Sequence, residues 1–329
     1  MRIFSRQDTR PADRFDGYCF RFADVSEIEN ILRSNHVDAL TSAKVAKAIP
    51  RYLVPRPLQE QGEDILAYAR RGYATVVVAP LRTETAVALA MKQVGELANL
   101  DVPLLLFLDR IKEIRIDVES ADQPPYRRRL QRRETDLCSI PLLPGTSIYE
   151  VDVGEGRRFL VVRREVDKDR VRGAVERSIP AAPQLKRWLN WKGVPVVSVA
   201  VGLSTSVVTT SRLYNFLPMG SGAVSPITGY VDAPFFAEID RRNADLSLPL
   251  NKTLMEAAAE TCAAAAIAIV ERNISVAPQA VVDLFAWTGD CANMMDRALK
   301  AMKTSCEDMR ERPESWRPGR DVPHVSSCA

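Results

Sequence analysis

The feature that most constrains this fold is the stretch from Leu213 to Ala257, where two apolar runs precede a long helical pattern. The first run, 213–217, ends at Pro218 and the glycine-rich loop 220–222, and the second covers 227–239. Because proline and glycine interrupt strands, the pattern predicts two strands joined by a flexible loop, with a phosphate cradle as the weaker alternative. A charged link, 240–243, then leads to Leu-Pro-Leu-Asn at 248–251, where a long helix is predicted to begin.

Three short motifs in this stretch resemble, in type and order, the transducer (middle) domain of GHKL ATPases. They are Phe216-Leu217-Pro218, the Arg241-Arg242 pair and the Leu-Pro-Leu-Asn helix start. The superfamily includes gyrase, heat-shock chaperones, histidine kinases and mismatch-repair proteins, and the stretch is most similar to its sacsin-like and large heat-shock-chaperone branch. The resemblance implies that the end of the second strand and the helix start contact the γ-phosphate of ATP. The implied contact residues are Arg241, Arg242, Asn251 and Lys252.

The resemblance extends more weakly to the first hundred residues, where Gly72 and Thr75 open an apolar run that is predicted to be a buried strand. Here the resemblance implies that Thr75 lines the nucleotide pocket. It also implies ATP and Mg²⁺ as cofactors, but the motifs that hold adenine, magnesium and the phosphate lid are absent, which argues against binding by this chain alone. The family's arginine three positions after Asn251 is Leu254 here, leaving Lys252 as the nearest cation.

These patterns predict an α/β fold in which a mixed-sheet transducer domain follows part of a GHKL (Bergerat-type) nucleotide-binding domain. The expected divisions are the end of the nucleotide-binding domain at 1–100, the transducer at 101–275, a helical extension at 276–312 and a disordered tail at 313–329. We expect a chain that is not catalytic by itself and relays nucleotide state to a protein partner or client, with the ATP-binding half missing or on a separate chain. A non-catalytic interaction scaffold, or a homodimer, is the alternative.

The composition indicates a globular protein and argues against a multi-histidine metal site and a membrane span. Hydrophobic residues make up 46% of the chain and charged residues 26%, which is ordinary for a globular protein. Six scattered cysteines without a C-x-x-C pair favour reduced thiols in the cytoplasm. Two histidines argue against a multi-histidine metal site, and no metal ligand is predicted. The longest apolar run, 262–270, is too short for a bilayer, so no membrane contact is expected.

Two further patterns leave alternatives open. Five arginines follow Tyr126 and form either a solvated charged face or a nucleic-acid backbone site; they are Arg127, Arg128, Arg129, Arg132 and Arg133. A methionine stripe between Cys291 and Glu311 is either core or an adaptable docking surface. The net charge of +3 is too small to favour nucleic acid by itself.

Overall fold

The computed structural model describes residues 1–7, 13–98, 101–119, 125–140, 142–203, 210–237 and 242–311. The chain divides into two compact units, Met1–Gln93 and Val94–Ala329. Both units combine helices with β-strands, so the mixed α/β class predicted from the sequence is confirmed. The predicted disordered tail, 313–329, lies outside the described residues.

The described residues of the first unit form a four-stranded antiparallel sheet, and three α-helices lie between its strands along the chain. The strands are β1 (Arg2–Ser5), β2 (Phe20–Phe22), β3 (Pro55–Pro57) and β4 (Thr75–Val78), and the helices are α1 (Val25–Ser34), α2 (Ala39–Ala48) and α3 (Glu63–Arg70). The spatial order of the strands is β3-β2-β1-β4. A capping box formed by Asp24 and Glu27 explains why α1 begins where the pattern predicts.

The first unit has two small cores: Ala23, Ile28 and Ala46 form one, and Phe4, Phe15, Ile65 and Ala69 form the other. The prediction of a fully buried strand after Gly72 is wrong, since Val77 on β4 is 56% exposed. The physical reason is that β4 lies at the sheet edge, pairs with β1 alone and is covered mainly on the face that meets the core around Phe4.

Helix α4 (Glu84–Ala98) carries the chain from the first unit into the second. Its predicted cap is present, because the Thr83 hydroxyl accepts the Ala86 amide at 3.1 Å.

The second unit is organised around a seven-stranded sheet. Its strands are β7 (Arg133–Ser139), β8 (Thr146–Asp152), β9 (Arg158–Glu165), β10 (Val196–Gly202), β11 (Arg212–Asn215), β12 (Leu217–Pro218) and β13 (Gly229–Asp232). A separate two-stranded sheet contains β5 (Glu113–Val118) and β6 (Tyr126–Gln131). The larger sheet has the order β12-β11-β13-β10-β9-β8-β7, and only its β11–β13 pair is parallel within the described residues.

Helices cover one face of the larger sheet and form the main core of this unit. They are α5 (Lys168–Ser178), α6 (Pro249–Glu271), α7 (Pro278–Phe285) and α8 (Ala292–Glu311), with 3₁₀ helices at Pro183–Asn190 and Gly289–Cys291. The alanine-rich α6 lies centrally, since its small side chains allow strands and helices to approach closely.

The C-terminal helices share this core, so α7 and α8 do not form a separate extension of the kind expected for 276–312. Leu284 on α7 and Met294, Met295 and Met302 on α8 are all buried in it. The methionine stripe is therefore core over these positions.

A smaller core covers the opposite face of the sheet and includes Leu106, Phe107, Tyr214 and Tyr230. Residues 103–108 have the apolar composition of a strand, yet they form turns that lay apolar side chains on the sheet. The Tyr214 hydroxyl donates to the Pro103 carbonyl at 3.1 Å and fixes that segment.

Helix α6 is long and apolar enough to cross a bilayer by length and composition alone. However, 78% of its apolar window is buried inside the second unit. Packing in the core accounts for its hydrophobicity.

Candidate functional site: helix start, basic run and aromatic groove

The predicted site residues belong to two units. Thr75 is exposed on β4 in the first unit, whereas Arg242, Asn251 and Lys252 belong to the second. Arg241 lies outside the described residues. Within the second unit, the described residues hold the helix-start part of the predicted phosphate site.

Asn251, in the first turn of α6, binds the backbone on either side of the charged link. Its Oδ1 accepts the Phe236 amide, and its Nδ2 donates to the Phe236 and Asp245 carbonyls, each at 2.8 Å. The residue is fully buried, and the helix begins earlier, with Leu248 as N-cap and no side-chain cap. Asn251 is thus a clamp across the link, a role that the predicted phosphate contact does not describe.

The glycine-rich loop packs directly on the same link. A Cβ on Gly220 would lie 2.7 Å from the Arg242 Cα, and one on Gly222 would lie 2.4 Å from the Asn243 Oδ1. The Gly220 contact is with backbone and is not tolerated, so glycine is required there, whereas the exposed Asn243 side chain could move away from a Cβ at 222. The loop is therefore a packing element between the β11–β12 hairpin and the link.

Two cationic side chains remain at the surface of this region. Arg242 on the link and Lys252 in the first turn of α6 are both exposed. Positive charge near a helix N-terminus is unfavourable for the helix itself but suits a phosphate arriving from outside. Arg242 and Lys252 are the predicted site residues whose placement permits such contact.

The arginine-rich run lies on β6 and β7 and is largely neutralised by acidic neighbours. Its ion pairs join Arg127 to Asp117 and Glu119, Arg128 to Glu155, Arg129 to Glu113, and Arg132 to Asp109 and Glu134. Arg129 holds the pKa of Glu113 down to about 2, despite some desolvation, with further help from Arg115. This pairing favours a charged face, and the nucleic-acid alternative stays a prediction that a salt titration of binding would test.

The most distinctive concavity of the second unit was not predicted from the sequence. A groove of about 430 Å³ lies beside the smaller core, and a second groove of about 410 Å³ shares three of its lining residues. The shared residues are Trp191, Phe216 and Pro234. Trp191 is 45% exposed and Phe216 60% exposed, so two large aromatic side chains meet solvent where the grooves join.

A polar row crosses the sheet on the wall of the first groove. The strand register pairs Asp232 on β13 with Ser198 on β10, and Ser198 with Arg163 on β9. Arg163 also contacts Asp109, which accepts a second bond from Arg132 at 3.3 Å. The two arginines therefore already have anionic partners.

Asp232 is the unusual member of this row. It is 9% exposed, and the Phe216 amide, at 2.8 Å, is its one hydrogen-bond donor among the described residues. Burial raises the pKa of its carboxyl to about 7, against the lowering effect of that hydrogen bond. The bond also holds Phe216 at a φ of 63°, a conformation that costs a bulky residue on the order of 1 kcal/mol.

A weak signal for this site exists in the sequence. Asp232 ends the run Gly-Tyr-Val-Asp, where a charge on an otherwise apolar strand indicates either an edge or a function. The aromatic partners come from distant segments, so the groove itself has no local pattern.

No protein-family model, curated protein or solved structure matches this chain. The fit of ATP and Mg²⁺ must therefore be judged from the described residues. These contain no cluster of three or more His, Cys, Asp or Glu side chains suited to a metal, and the Asn251 N–H groups are bound to carbonyls. The described residues do not fit a complete Mg-ATP site.

Proposed function

We propose that this chain is the non-catalytic relay module of a GHKL-type ATPase, transmitting nucleotide state to a protein partner. The supporting observation is the Asn251 clamp, which ties the charged link to the central helix of the second unit. The glycine loop ties the same link to the sheet edge. A phosphate bound by Arg242 or Lys252 would thus affect both helix α6 and the edge of the sheet.

The relay needs only a contact with the terminal phosphate. Lys252 contributes an exposed ammonium group in the first turn of α6. The neighbouring Leu250 amide already donates to the Ser178 hydroxyl, so the side-chain charge supplies the phosphate contact. Adenine and magnesium would be held by an ATP-binding half supplied elsewhere. The isolated chain is accordingly expected to release no phosphate from Mg-ATP above background.

The test uses tripolyphosphate as a probe for the isolated phosphate contact. In the ¹⁵N spectrum, amides 250–254 should shift on titration, and Lys252→Ala should weaken binding about tenfold, as expected for one charge-assisted hydrogen bond. Lys300→Ala, an exposed lysine on α8, is the matched control and should bind like the parent chain. Equal affinity of Lys252→Ala and the parent, or phosphate release that Lys252→Ala abolishes, would overturn the proposal.

A protein-interaction scaffold is the second candidate, and the exposed Trp191 and Phe216 favour it. Aromatic side chains of this kind are enriched at interfaces because they bury a large area at low entropic cost. The two candidates use different residues. Loss of phosphate binding in Lys252→Ala with unchanged partner binding would favour the relay, and loss of partner binding in Phe216→Ala alone would favour the scaffold.

A further inference from the structure

The first groove contains one carboxyl group, that of Asp232, which has no ion pair and one hydrogen bond among the described residues. Asp232 receives only the Phe216 amide within the described part of the chain, and its Oδ2 has no partner there. The Arg163 charge beside it is engaged by Asp109. Ser198, its neighbour across the sheet, is also buried and makes no hydrogen bond through its hydroxyl to the described residues.

The walls around this carboxyl group are aromatic and apolar. Phe107, Trp191 and Phe216 line the groove, with Val194 and Ile111 at its rim. Aromatic faces attract cations and pack well against hydrocarbon stems, and a low-dielectric wall strengthens attraction to a carboxylate. An anion would be repelled by Asp232, and a neutral apolar ligand would leave its carboxyl group without a partner.

We propose that this groove binds a lysine or arginine side chain of a partner polypeptide, with Asp232 as counter-ion and the Ser198 hydroxyl as a further acceptor. The stem of the side chain would pack between Trp191 and Phe216. The second groove, which continues from these aromatics past Arg187 and Asn190, gives room for the flanking peptide. Charge complementarity selects a basic side chain, and the joined grooves select a polypeptide over a free amine. This site is independent of Arg242 and Lys252, so its failure leaves the relay proposal untouched.

Binding should depend on pH through the ionisation of Asp232. The charged groups that face it are Asp109 on the turn segment, which raises its pKa, and Arg163 on β9, which lowers it, while Arg110 lines the rim. Because the bound cation requires the carboxylate, affinity should rise with pH up to about 7 and level off above it. Below that point each pH unit should weaken binding by up to about tenfold.

The experiment compares three probes against the full chain at pH 8. They are a capped pentapeptide with lysine at its centre, the same peptide with norleucine in place of lysine, and free n-butylamine. Calorimetry gives the affinity, and the Phe216 amide resonance reports directly on Asp232. The lysine peptide should bind at least tenfold more tightly than the norleucine peptide.

Asp232→Asn should remove that preference while leaving the fold intact, because asparagine retains the oxygen that accepts the Phe216 amide. Trp191→Ala should weaken the lysine and norleucine peptides together, since it removes stem packing. Asp290→Asn, an exposed acid, is the matched control. Equal affinity for the two peptides, or a preference that survives in Asp232→Asn, would overturn the cation site. Binding of n-butylamine as tight as that of the lysine peptide would overturn the polypeptide occupant.

Discussion

Removing the clamp at the start of α6 should destabilise the second unit and separate a structural role for Asn251 from a ligand role. In Asn251→Ala, the Phe236 amide and carbonyl lose their partner, whereas the Asp245 carbonyl still accepts the Leu248 amide at 3.3 Å. A buried group left without a hydrogen bond costs about 1–3 kcal/mol. Since the link lies near solvent, we take about 1.5 kcal/mol for each of the two Phe236 groups, which gives a loss of about 3 kcal/mol.

For a domain of roughly 150–250 residues, this loss corresponds to a fall in Tm of about 6–12 °C. Urea unfolding followed by far-UV circular dichroism measures the loss directly, and an unchanged m-value shows that the denatured state is the same. Asn293→Ala, an exposed asparagine on α8, should change stability by less than about 0.5 kcal/mol.

The isosteric Asn251→Asp gives a second test. At neutral pH its carboxylate would face two carbonyl oxygens, so we expect at least the loss seen for alanine. Unfolding midpoints within error of the parent for both Asn251 variants, together with loss of tripolyphosphate binding, would refute the clamp and restore the ligand role.

The remaining predictions concern three other positions in the second unit, each measured by urea unfolding. Gly229→Ala should cost about 1–3 kcal/mol, because the new Cβ would lie 2.3 Å from the Ala200 oxygen, whereas Gly95→Ala, with open space around it, should not destabilise. The raised pKa of Asp232 stabilises the fold at low pH, and this contribution, at most about 4 kcal/mol, is lost as the pH rises from about 4 to about 7. Asp232→Asn should therefore make the free energy of unfolding depend less on pH over this range. Burial raises the pKa of Glu260, but its two arginine partners lower that pKa by a larger amount, so the net shift is downward. The ionised carboxylate therefore stabilises the fold above about pH 4.5, and this contribution is lost on acidification. Glu260→Gln should therefore cost about 1–3 kcal/mol at pH 7, and this cost should shrink as the pH falls below about 4.5. A constant difference across pH would contradict the ion-pair account.

The resemblance to GHKL transducers, the ATP and Mg²⁺ cofactors, the partner and the cytoplasmic location stay predictions. The elements of the diagnostic stretch do occur in the predicted order: β11, a loop, β13 and α6. Several helices and the β8–β9 hairpin also match their local patterns, because caps, glycine turns and apolar periodicity act over a few residues.

Local pattern alone determined where α1, α5 and α6 form in this chain. Tertiary packing decided the rest. Residues 103–108 have strand composition, yet they form turns because the sheet face offered an apolar surface and the Tyr214 hydroxyl offered a donor 111 residues away. Asn251 contacts the backbone around the link because the folded chain returns past the start of α6. Helix propensity is a local property and does not predict such a tertiary contact.

The groove shows the same division most clearly. The sequence placed a charge on an apolar strand at Asp232, but only the sheet register set it beside Ser198 and Arg163. Asp109 reaches Arg163 across 54 positions of sequence, and Trp191 and Phe216 line the same groove from separate connections. The sequence alone determines that a carboxyl group stands at position 232. Its pKa depends mainly on burial, which is a property of the packed sheet, so the tertiary structure decides when that group is charged.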